Sequence, residues 1–94
     1  AKTSEAAKID LAAALIVRGG RADLERALKL SETSDAPAAL WNRAAAYRQM
    51  QSYDEAIEAY NDYLQVDSTS AYAKEAAAEI KQLEELRNLT RVTN

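Results

Sequence analysis

Between Leu40 and Ser68 the sequence carries two apolar stripes at helical spacing, and neither could form a core alone. Leu40, Ala44 and Tyr47 recur every three or four residues, a break follows at Gln51-Ser52, and Ala56, Ile57, Tyr60, Tyr63 and Leu64 make the second stripe. Two short amphipathic helices of this kind pair as an αα-hairpin, with the small side chains of Ala44 and Ala56 at the crossing point. The pair leaves an apolar face that only further helices can cover. Stacking is therefore built into the pattern.

The rest of the composition agrees with a helical chain. Ninety-four residues with 48% hydrophobic content form one small domain, with material for a single core and not for two domains. There are two Gly and one Pro, while Ala, Leu, Glu, Lys, Arg and Gln dominate, so the expected fold class is all-α, without a sheet. The net charge is −3 with no basic run, which removes the electrostatic footprint of nucleic-acid binding. No run of roughly 18 apolar residues is present, so no membrane insertion is expected. The chain starts at Ala1 and its one Met is Met50, which suggests an excised or processed segment. The lack of Cys removes disulfides and thiolate metal sites without assigning a compartment.

Along the chain, Ser4 ahead of Glu5 predicts the start of a first helix carrying Ile9, Ala12, Ala13 and Ile16, with Leu11 and Leu15 widening its stripe. Gly19-Gly20 should end it. A second helix, from Ala22 to about Thr33, puts Leu24, Ala27, Leu28 and Ser31 on one side and charged residues on the other. Asp35 before Ala36-Pro37 reads as the cap of a third helix reaching about Gln51. Ser52 with Glu55 forms a capping-box signature for a fourth helix ending near Val66-Asp67. Ser68-Thr69-Ser70 caps a last helix through Glu75, Ile80 and Leu83 to about Leu89, with residues 91–94 fraying.

This arrangement resembles the tetratricopeptide repeat, a helix-turn-helix unit of roughly 34 residues with a Trp, Leu-Gly, Tyr, Ala, Phe, Pro pattern. The corresponding places hold Leu40, Arg43-Ala44, Tyr47, Ala56, Tyr60 and Ser68. Ala44, Tyr47 and Ala56 are ordinary for the family, and Tyr60 is a mild variant of Phe. Arg43 and Ser68 depart from the expected Leu and Pro. The resemblance implies antiparallel hairpins stacked as a short superhelix of about five helices. Residues 1–35 would be a degenerate first hairpin with a short second helix, 36–67 the complete repeat, and 68–90 a capping helix. A shift of roughly one repeat places Leu40 on Lys74 and Tyr47 on Lys81, and charge there suits a solvating cap. A second resemblance is carried by Asp23-Leu24-Glu25-Arg26-Ala27-Leu28, Asn42-Arg43-Ala44, and Tyr63-Leu64 with Asp67. These phrases are similar to the repeat regions of bacterial proteins that bear a caspase-like protease domain elsewhere.

Catalysis finds little material here. Without His or Cys, a Ser nucleophile lacks its usual base and metal ligation would rest on carboxylates alone. Glu84-Glu85, Asp54-Glu55, and Glu75 with Glu79 fall on helix surfaces or caps, where a solvated face explains them. The chain is accordingly expected to be a non-catalytic scaffold without cofactors or a metal.

The family resemblance implies a concave groove for a peptide or partner helix. The third helix would line it with Ala38, Trp41, Asn42, Ala45, Arg48 and Gln49, and the last helix would add Tyr72, Glu75 and Glu79. Trp41 offers large contact area at low entropic cost, and could equally share the core slot with Leu40 as a half-buried residue. Relatives that clamp a peptide carboxylate use an Asn where Asn42 stands, but their basic residues fall on Tyr72 and Ala76 here, so that clamp cannot form. A second expectation is assembly: Leu83, Leu86 and Leu89, placed beyond the reach of the fourth helix, would pack on a second copy or an adjoining domain.

Overall fold

Local chemistry sets most of the helix ends in the computed structural model, which describes residues 4–93. The Ser4 hydroxyl accepts the Ala7 N–H at 3.1 Å and opens α1 (Glu5–Arg18). Gly19 closes it in the left-handed conformation at φ 75°, its N–H donating to the Leu15 carbonyl at 3.0 Å. Gly20 then leads directly into α2 (Arg21–Ser31). The remaining helices are α3 (Pro37–Gln49), α4 (Tyr53–Val66) and α5 (Ala71–Thr93). No strand occurs among the described residues.

Two of the expected caps are not used. The α3 cap position is Ala36 and not Asp35, and the turn is tied by Ser34, whose hydroxyl accepts the Ala36 N–H at 3.1 Å and donates to Glu5. The Ser52–Glu55 box does not form either. Gln51 adopts a left-handed φ of 61°, so its N–H reaches the Arg48 carbonyl and the Ser52 N–H reaches the Tyr47 carbonyl, both at 3.0 Å. This Schellman closure consumes the amide that Glu55 would have capped, and Ser52 makes no side-chain cap bond.

Each helix packs on the next in sequence, and α1 also packs on α3. Among the described residues no substantial packing joins α1 to α5, so the helices do not close into a bundle. The molecule is a slab of 49 × 33 × 18 Å, and side chains of α1, α3 and α5 come together on one side of it. Its thickness is about two helices packed at their usual 8–10 Å separation.

The core divides on the two sides of α3. Ala12, Leu15, Ile16, Leu24, Ala27 and Ala46 form the cluster of the first hairpin. Leu40, Ala44, Ile57, Tyr60, Tyr63, Ala76 and Leu83 are central to the other. Buried on both sides, α3 has no single apolar stripe. The α1 stripe is also rotated from expectation: Leu11 is exposed while Leu15 is buried, and Ile9 and Ala13 face away from the core.

The last helix differs most from its expected form. It continues past Leu89 to Thr93, while Asn94 lies outside the described residues. Leu83 is completely buried in the second cluster, which corrects its assignment to an assembly surface. Both α4 and the first 14 residues of α5 span about 21 Å, so α4 covers its neighbour to about Glu84. Leu86 and Leu89 remain 38% and 62% exposed. Lys74 and Lys81 are exposed, so neither charge is buried.

Candidate functional site

Side chains of α1, α3 and α5 line an open hollow of about 460 Å³. Ile9 and Ala13 of α1 form one wall, Ala38 and Trp41 of α3 the floor, and Tyr72 of α5 the opposite rim. Pro37, Asn42 and Tyr63 complete it. The lining is largely methyl groups and ring faces, which is the chemistry of an apolar side-chain pocket.

Trp41 is the hub. Its ring meets Tyr60, Tyr63 and Tyr72 at centroid distances of 5.4, 5.2 and 5.7 Å, all edge-to-face. Such pairs add about 0.5–1.5 kcal/mol each beyond burial when well packed. Trp41 is nevertheless only half-buried: it seats on the core and also lines the hollow.

Polar bonds set the width of the hollow. Asn42 Nδ2 donates to the Ile9 carbonyl and Gln49 Nε2 to the Ile16 carbonyl, each at 3.1 Å. Both pairs are two turns apart on their helices, so α1 and α3 are pinned in register. Behind the floor, the Tyr63 hydroxyl donates to Asp67 at 2.6 Å. Asp67 also accepts the Ser70 N–H, and the Ser70 hydroxyl both donates to Asp67 and caps the Ala73 N–H of α5. These bonds, the Ser70 hydroxyl foremost and Tyr63 next, hold the Asp67 carboxyl down at about 2, and the same bond raises the Tyr63 phenol.

Further along α3 and α5, Arg48 Nε lies 2.8 Å from Glu79 Oε2 and bridges the two helices. The approach is oblique, so this buried oxygen accepts no well-formed hydrogen bond. Tyr60 lies beneath, its phenol pushed up to about 12 first by burial, then by the charges of Glu79 and, to a lesser extent, Glu75, while Arg48 opposes. Glu75 itself is exposed.

Of the residues expected to line a groove, the structure brings Ala38, Trp41, Asn42 and Tyr72 around one hollow. Arg48 and Glu79 meet farther along α3 and α5, with Glu75 near them. Ala45 instead packs against the first-hairpin cluster, and the Asn42 and Gln49 amide nitrogens are engaged with α1. Ile9, Ala13, Pro37 and Tyr63 were missed as lining residues. The first two share a helical face at i and i+4, a signal hidden because both also fit the expected core stripe of α1.

Residues 37–70 match the tetratricopeptide repeat family. The match runs from the first residue of α3 to Ser70, taking in the whole α3–α4 hairpin, and supports a tetratricopeptide-type fold for the stack. Neither the curated proteins nor the solved structures gave a match. Tetratricopeptide repeats generally mediate protein–protein interactions and are typically non-catalytic. Among the described residues no cluster of three or more acidic side chains could hold a metal ion, and no helix is long and apolar enough to cross a membrane.

Arg43, the departure from the family's Leu, has a visible role. Its Nη2 donates to the Ser31 carbonyl at 2.6 Å and to the Ser34 carbonyl at 3.3 Å. The guanidinium thereby caps the C-terminal end of the short α2, where free carbonyls and the helix dipole both favour a cation.

Proposed function

We propose that this chain is a protein-interaction scaffold that holds an extended peptide or a partner helix across the face formed by α1, α3 and α5. The observation that carries this is the apolar hollow of about 460 Å³ beside a half-exposed Trp41. Tyr72, 62% exposed at its rim, supplies a second aromatic surface that the fold itself does not cover. Interfaces concentrate their energy in such rigid aromatic anchors.

In this proposal residues 1–35 act as a degenerate first hairpin, 36–67 as the complete repeat and 68–90 as a solvating cap. The phrases around Asp23–Leu28, Asn42–Ala44 and Tyr63–Asp67 support placing the chain as an accessory segment of a bacterial protein with a caspase-like protease domain elsewhere.

The test is NMR mapping with a peptide selected from a random displayed library. The expected shifts fall on Ile9, Ala13, Ala38, Trp41 and Tyr72, and weaken at least tenfold in affinity with Tyr72→Ala, a surface change that leaves the core intact. Shifts confined to the outer faces of α2 and α4 would refute the groove.

A further inference from the structure

We infer that the occupant of this face is a basic apolar peptide: an extended segment with one aliphatic or aromatic anchor in the Trp41 hollow and a Lys or Arg a few residues away. This rests on the groove proposal above and specifies its ligand.

The charge along the face carries the inference. Tyr72, Glu75 and Glu79 lie at i, i+3 and i+7 on α5, so they share one side of that helix. Glu79 meets Arg48 at 2.8 Å. Glu75 has no ion-pair partner among the described residues, yet lies close enough for its charge to act on Tyr60. Two carboxylates against one guanidinium leave a negative charge beside the apolar hollow. On the α1 side, Glu5 and Lys8 line an adjoining hollow, one charge of each sign. The net charge of −3 favours the approach of a basic segment over an acidic one.

Spacing fixes where the cation belongs. From Tyr72, Glu75 is about 4.5 Å and Glu79 about 10.5 Å along the helix axis. An extended peptide advances roughly 3.3–3.6 Å per residue, so a cation about one to three residues beyond the anchor reaches this charge.

The experiment is selection of a random displayed peptide library on the wild-type chain and on Glu75→Lys, followed by titration of selected peptides using Trp41 fluorescence at low salt. Wild-type selection should enrich Lys or Arg one to three residues from an apolar anchor, and Glu75→Lys should lose that enrichment. Replacing the peptide cation by Glu should weaken binding about fivefold or more, an effect reduced by added salt. Enrichment of acidic or neutral peptides that still perturb Trp41 would overturn the basic occupant and leave the groove standing. No enrichment over a Trp41→Ala control would overturn both.

Discussion

The two hairpins solve the same problem with different chemistry. In α3–α4 the interior is aromatic, with Trp41 against Tyr60 and Tyr63, and the helices hold each other through ring contact and burial. In α1–α2 the interior is Ala, Leu and Ile, one helix has only 11 residues, and α3 reaches across to secure it. Asn42 and Gln49 bind the carbonyls of α1, while Arg43 binds the end of α2. The family match covers α3–α4 and not α1–α2. A hairpin outside the matched segment can thus be held in place when a neighbour supplies directional bonds.

The sharpest way to break this comparison is Arg43→Leu, which places the Leu of the repeat pattern at this position and removes both bonds to the end of α2. The expected loss is about 2 kcal/mol, since carbonyls previously bonded to a charged donor lose it. Amide exchange should rise in α2 and stay nearly unchanged in α4. A uniform rise across the chain would show that the first hairpin does not depend on this tie.

The turns offer a smaller contrast. Gly19 at φ 75° and Gln51 at φ 61° hold equivalent left-handed positions, one with the residue suited to it and one without. Urea denaturation should show Gly19→Ala losing about 1 kcal/mol or more, because a Cβ there also meets Gln49 Oε1 at 3.2 Å. Gln51→Gly should gain about 0.5–1 kcal/mol.

The smallest effect is acid sensitivity at the junction of α4 and α5. The Asp67 carboxyl is held at about 2 against an ordinary 3.8, so its contribution is complete above the ordinary value and fades as pH falls through about 2. Comparing wild type with Asp67→Asn by near-ultraviolet circular dichroism should show a Tyr63-linked difference that narrows across this window. A constant difference would separate the cap from the acid response.

Much of this was visible in the residues themselves. Gly19 marks a helix end, Ser4 and Ser70 mark helix starts, and the spacing from Leu40 to Leu64 specifies the hairpin. Each is a local signal, acting over one or two turns. The capping box failed because Ser52 had two possible uses for its N–H, and closure of the preceding helix took it. Leu83 looked uncovered until the length of α4 was set against that of α5. The hollow was half legible: the repeat mapping put Ala38, Trp41, Asn42 and Tyr72 on the groove side, whereas Ile9 and Ala13 resembled core residues.

By itself, then, the order of residues determined that this protein is helical, where most of its helices start and stop, and that none of them can stand alone. Those outcomes follow from backbone conformation and apolar periodicity, which neighbours in the chain control. Which face of α1 turns inward and which amides pin α3 to it were decided only by packing. Residues 33 positions apart, such as Asn42 and Ile9, come within 3.1 Å through the stacking of whole helices, and no local rule carries that distance.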